Sequence, residues 1–178
     1  MDRKGGKIIN MAVNRGKQFE EVVRKCFERI PNVSVDRLHD QTTGFSGSKN
    51  IADFIVYEKP YQYYIECKSV HGNTLPFKNI TNNQLNGLIE KSKIDGVGAG
   101  ILCWWIDHDE TYYIPIWIIK DAIECGEKSL NIKHPHIVSM WKMVKGRKKR
   151  VFFDYDMKEL LDTLWEKNER LGDYYENI

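Results

Sequence analysis

Asp53, Glu66 and Lys68 are the residues whose types and spacing could do chemistry, an acid followed thirteen residues on by Glu-x-Lys. The stretch that carries them, residues 51–70 (IADFIVYEKPYQYYIECKSV), reads as two β-strands joined by a reversal at Lys59-Pro60. Both arms are rich in Ile, Val, Tyr and Phe, and a proline with charged neighbours marks the bend. Side chains alternate along a strand, so Glu66 and Lys68 share one face and Cys67 points to the other. A reversal centred on Lys59-Pro60 sets Asp53 directly opposite Glu66. Two carboxylates facing one another across a ladder repel. A hard divalent cation such as Mg²⁺ between them would offset that repulsion. The bland alternative is a pair of solvated acids on an exposed face, the commoner arrangement for two acids alone. Lys68 and the elements around the hairpin favour the metal site.

Those elements follow from periodicity. Asn14 caps a helix running to about Ile30, before Pro31. Its apolar stripe is Phe19, Val22, Val23, Cys26, Phe27 and Ile30; Glu20 falls at the stripe's edge and Glu21 points away. Residues 33–38 suit a short strand. Residues 39–50 (HDQTTGFSGSKN) form a polar, glycine-containing loop leading into the first arm. Residues 71–79 read as a turn-rich linker, and Thr81 caps a helix from about Asn82 to Lys93. Leu85, Leu88 and Ile89 are that helix's inner residues, with Gln84 at their border. Residues 96–100 end the helix. The apolar run 99–106 is a buried strand, 107–110 a turn and 111–116 a returning strand. Residues 117–124 suit a short helix. Residues 126–140 are irregular, and His134 and His136 receive no role. A strand is expected over 151–155. Asp156 then caps a last helix with Met157, Leu160, Leu161, Leu164 and Trp165 inside.

The 178 residues suit one domain, 14–178, preceded by a flexible basic arm, 1–13. No apolar run approaches a membrane span and no signal-like segment opens the chain, so a cytoplasmic protein is expected. Cys26, Cys67, Cys103 and Cys125 lack zinc-ligand spacing and read as reduced, buried thiols. The net charge of +2 hides a separation. Residues 128–153 hold eight Lys/Arg and no acid, and residues 1–17 hold five Lys/Arg and one Asp, so the remainder is acidic. Basic segments on an acidic body point to a polyanionic partner, although solvated charge runs are the plainer reading.

In order and element type, Glu20, Asp53, Glu66-Cys67-Lys68 and Gln84 resemble the signature of the PD-(D/E)XK nuclease superfamily. Asn14-Arg15-Gly16 with Phe19-Glu20-Glu21, Leu75-Pro76-Phe77-Lys78-Asn79 and Phe153-Asp154-Tyr155 resemble the RecU Holliday-junction resolvases. Residues 44–68 are also similar to the archaeal Hjc resolvases. The resemblance implies a single-domain, restriction-endonuclease-like α/β (α+β) fold, a central mixed sheet flanked by helices. It implies that Asp53, Glu66 and the Cys67 backbone carbonyl bind Mg²⁺, with Mn²⁺ as a substitute. Lys68 would orient or polarise the attacking water. Glu20 would reach the metal through water, and Gln84 would add a metal-side or phosphate-side hydrogen bond. Two departures stand out. The Thr that RecU proteins carry two residues before the Asp is here Ile51, for which Ser46 or Ser48 would have to substitute. The stretch between Glu20 and Asp53 is also shorter than in RecU.

The resemblance further implies a homodimer that resolves four-way DNA junctions in recombination or replication. Branched duplex DNA would be held by Arg15, Lys17, Ser46, Ser48, Lys49, Lys78, Lys142, Lys145, Arg147, Lys148, Lys149 and Arg150. Phosphate contacts of this kind carry no direct sequence information and weaken with salt. The alternatives are a restriction-type, repair or replication-fork endonuclease of the same fold, and a catalytically inactive DNA-binding protein. Small size hints at a phage or mobile-element origin, which would place the protein in a host cytoplasm.

Overall fold

An asparagine starts the first helix. The Asn14 side chain accepts from the Lys17 N–H at 3.2 Å and caps α1, Arg15–Glu28. The computed structural model describes residues 14–38, 50–134 and 141–164. The expected basic arm (1–13), most of the polar loop, His136 and Trp165 lie outside them.

The centre of the molecule is a six-stranded sheet in the order β1-β2-β3-β5-β6-β8. Its strands are β1 (Ser34–Arg37), β2 (Phe54–Glu58), β3 (Tyr61–Val70), β5 (Val97–Trp105), β6 (Glu110–Pro115) and β8 (Lys142–Met143). β3 pairs antiparallel with β2 and parallel with β5, so the sheet is mixed as expected. A parallel neighbour needs a crossover, and α2 (Asn82–Ser92) supplies it. α2 starts at a capping box in which Thr81 and Gln84 satisfy each other's backbone N–H groups.

The two faces of the sheet are covered differently. Alternation along β3 sends Tyr63, Ile65 and Cys67 to one core, with Phe19, Val23 and Phe27 of α1. Leu160, Leu161 and Leu164 of the last helix (α4, residues 157–164) join that core. The other face packs Tyr64 and Val70 with Leu88 of α2 and with Ile116 and Ile119 of α3 (Ile116–Glu124). Asp156 caps α4 as expected, accepting from the Glu159 N–H at 3.0 Å.

Several expectations need correction. The linker 71–79 contains β4 (Thr74–Pro76), which pairs antiparallel with β7 (Ser129–Asn131) in the supposedly irregular stretch. Leu75 and Leu130, both fully buried, tie the two together. Residues 97–100 belong to β5 rather than to the end of α2. The dense basic run is mostly ordered backbone: β9 (Gly146–Lys148) turns back onto β10 (Phe153–Tyr155) as a hairpin. Cys125 is exposed, whereas the other three thiols are buried and all four are free.

Candidate functional site

The hairpin register is the one the reversal at Lys59-Pro60 dictates. Phe54 pairs with Ile65 and Glu58 with Tyr61, and the Lys59–Pro60 peptide is cis. Asp53 sits one residue before β2, and its N–H donates to the Ile65 carbonyl at 3.1 Å. That contact extends the ladder and sets Asp53 against Glu66. Because β2 begins only at Phe54, the Cys67 backbone has no strand partner on that side. Its N–H instead donates to Asp53 Oδ2 at 2.7 Å. The Cys67 carbonyl faces the same side of the strand as its N–H, as in any extended residue, and so faces Asp53. The Cys67 thiol points into the α1 core, where burial pushes its pKa well up, so it offers no thiolate.

Glu66 is 3 % exposed, in the middle of the central strand. Burial, then the neighbouring Asp53 charge, pushes its carboxyl up to about 7. Asp53 is also raised, chiefly by burial, while the hydrogen bond from the Cys67 N–H pulls it back down. Two acids that both resist ionisation side by side make a site short of positive charge. Lys68 supplies part of it: Nζ lies 2.7 Å from Glu66 Oε1. Gln84 Nε2 donates to the same oxygen at 2.6 Å. The Gln84 oxygen accepts from the Thr81 N–H at 3.0 Å and from Lys68 Nζ at 3.4 Å. The residue that closes the capping box of α2 thereby fixes Glu66 and Lys68 together.

α1 brings Glu20 to the same place from the other face of the sheet. Its carboxyl is raised by burial and then by the Asp53 charge. Arg37 Nη2 holds it at 2.6 Å. Arg37 received no role in the sequence reading. The signal was available, since pairing β1 against β2 sets Arg37 beside Phe54, next to Asp53. Glu21 is surface, as expected, in helical ion pairs with Arg24 and Lys25.

Ile51, which cannot ligate, does packing work. A Cβ added at Gly87 of α2 would lie 2.2 Å from Ile51 Cγ2. Ile51 is therefore pressed onto the bare backbone of α2, which holds the segment leading to Asp53 against the helix. Ser46, Ser48 and Lys49 lie outside the described residues.

The predicted DNA-binding cations divide. Arg15, Lys17 and Lys78 are exposed. Lys142 and Lys145 share Glu159, Lys148 pairs with Asp109, and Lys149 pairs with Asp154. Among the described residues no carboxylate lies within ion-pair distance of Arg147 or Arg150.

As a test of fit to a cation, the donor set is two carboxylates and a facing carbonyl, all oxygen. Among the described residues no three His, Cys, Asp or Glu side chains gather as a metal-ligating group. Mg²⁺ suits such a sparse set, because it usually keeps several waters and takes one or two carboxylates plus substrate phosphate. The residues therefore fit Mg²⁺ and do not form an all-protein cage.

No protein-family model and no curated protein sequence matches the chain. Among solved structures the chain is similar to Hjc of Archaeoglobus fulgidus, a Holliday junction resolvase from an archaeal hyperthermophile. The identity is 14 %, the TM-score 0.49, and the match covers 70 % of this chain and 93 % of that one. Among the described residues no helix is long and apolar enough to cross a membrane.

Proposed function

We propose that the chain is a Mg²⁺-dependent, structure-selective DNA endonuclease that resolves four-way junctions, acting as a symmetric dimer on two strands. One observation carries this reading: the buried Glu66 and the half-buried Asp53 carry carboxylates that face each other where strand pairing stops, with Lys68 Nζ 2.7 Å from Glu66 Oε1. A buried acid pair costs folding free energy, and a site that keeps one has a use for the charge.

Asp53, Glu66 and the Cys67 carbonyl would hold the ion. When bound, Mg²⁺ supplies an activated water and neutralises charge on the phosphate. Lys68 stands at the Glu66 oxygen and would offer its remaining N–H donor to the oxyanion that develops on the phosphate. Gln84 keeps both side chains in place by bonding each of them. Glu20 and Arg37 form the α1 border of the site, and their ion pair leaves Arg37 partly exposed. Arg15, Arg147 and Arg150 provide guanidinium groups for flanking phosphates.

Purified protein with Mg²⁺ on a labelled synthetic four-way junction tests the reading. Symmetric nicks in opposing strands, with linear duplex left largely intact, are expected. Equal cutting of both substrates would move the protein to a different nuclease class, since fold does not fix substrate.

A further inference from the structure

Glu20 lies on one side of α1, and the other side carries a groove. Arg15, Gln18, Val22, Cys26 and Arg29 follow one another along one face of the helix. Opposite them lies the turn of the β9–β10 hairpin, and together they line an open groove of about 820 Å³. The floor is apolar: Val22, Val151, Phe152 and Phe153. Both rings are braced from behind. Phe152 packs on Trp104 with centroids 5.2 Å apart, and Phe153 stacks on Tyr155 at 5.7 Å. Both Phe residues are nevertheless half-buried, and Val151 is 37 % exposed.

The rim is cationic, and its acids are already taken. Asp154 is shared by Arg29 and Lys149, and Glu28 is bonded to Arg24. Among the described residues no carboxylate lies within ion-pair distance of Arg15 or Arg150. An anionic occupant with flat apolar groups meets both demands. A duplex offers phosphates but no base faces, so it would leave the floor uncovered. The nuclease reading favours nucleic acid over an acidic peptide, because α1 carries Glu20 on one side and the groove on the other. The start of α1 is seated on the sheet beneath it: a Cβ at Gly16, the neighbour of Arg15, would be 3.8 Å from Ser69 Oγ, on the face of β3 opposite Lys68.

We propose that this groove binds unpaired nucleotides of the strand leaving the catalytic site, with bases against Phe152 and Phe153 and phosphates on Arg15 and Arg150. A fixed aromatic floor with flanking cations is the general means of holding single-stranded nucleic acid. The inference rests on the nuclease reading and narrows its substrate to branched DNA with unpaired nucleotides beside the cleaved bond.

The test is fluorescence anisotropy in EDTA, where no cleavage intrudes, with a labelled oligothymidylate and a duplex of equal length. Val151→Glu places a charge at an exposed turn, where it should not disturb folding, and Phe153→Ala removes one ring. Each should weaken single-strand affinity by about fivefold to a hundredfold, the equivalent of losing one stacked base, and change duplex affinity much less. Lys120→Ala on α3, beneath the opposite face of the sheet, should change neither. Wild-type affinity in Val151→Glu would overturn the proposal. So would an acidic amphipathic peptide that binds the groove of a protein that does not bind the oligonucleotide, or conversion of a dimer to a monomer by Val151→Glu with single-strand binding intact. A protein that binds single strands through the groove but cuts no DNA with Mg²⁺ would keep the groove and defeat the nuclease reading. Junction cutting with groove-independent binding would do the reverse.

Discussion

Glu66→Gln should stabilise the metal-free protein at pH 8 while destroying its function. Both observed donors to Glu66, Lys68 Nζ and Gln84 Nε2, bond the same oxygen, Oε1. An amide can keep that oxygen and turn its NH₂ toward the Asp53 carboxylate, so the substitution removes a charge without orphaning a partner. Glu66 sits at about 7 when folded, against an ordinary 4.5. The sign follows from linkage. A folded-state value raised above the unfolded one gives stability that is complete below pH 4.5 and is lost as pH rises through 7. At pH 8 the loss amounts to about 3 kcal/mol. In a domain of this size that corresponds to roughly 6–12 °C in Tm. Thermal unfolding in EDTA should show the variant above the wild type by several degrees at pH 8, with the gap closing toward pH 5. Adding Mg²⁺ should raise the wild-type Tm and leave the variant unmoved. A variant less stable than wild type at pH 8, or a gap independent of pH, would refute the claim that buried charge is stored at this position.

Further outcomes test the surrounding structure. Arg37→Met should cost about 1–3 kcal/mol in urea unfolding, because Glu20 then keeps its half-buried carboxylate without its 2.6 Å partner. Unchanged stability would mean that Glu20 is solvated in solution. Gly87→Ala should lower stability by about 1–2 kcal/mol through its collision with Ile51, and Gly87→Ala/Ile51→Ala should be more stable than the two single losses add up to. Strict additivity would separate the two residues. Replacing Arg147 and Arg150 with Ala should flatten the slope of log affinity against log salt for duplex-armed junctions by about 2. An unchanged slope would remove both from the phosphate contacts.

The placement of the candidate site's residues was largely legible because it depends on local rules. A two-residue reversal fixes the register, alternation fixes the faces, and the Thr81 cap starts the helix that carries Gln84. Each needs only neighbouring residues, and each reappears in the structure. What the sequence concealed was set by long-range pairing. β4 and β7 are three residues each and separated by some fifty positions, too short for periodicity to reveal. The basic run reads as free charge, yet Lys142 and Lys145 reach Glu159, Lys148 reaches Asp109 and Lys149 reaches Asp154. Composition counts charges and cannot pair them across the fold. Ile51 was judged as a missing ligand, whereas its fit against Gly87 emerges only when α2 is laid on the hairpin.

The measurement that tests the central claim most directly is nicking of a four-way junction by wild type and by Asp53→Asn, each with Mg²⁺ and with EDTA. If the facing acids at the end of β2 hold the catalytic ion, only wild type with Mg²⁺ cuts, and Asp53→Asn still binds the junction. Cutting that persists in EDTA or in Asp53→Asn would contradict the account.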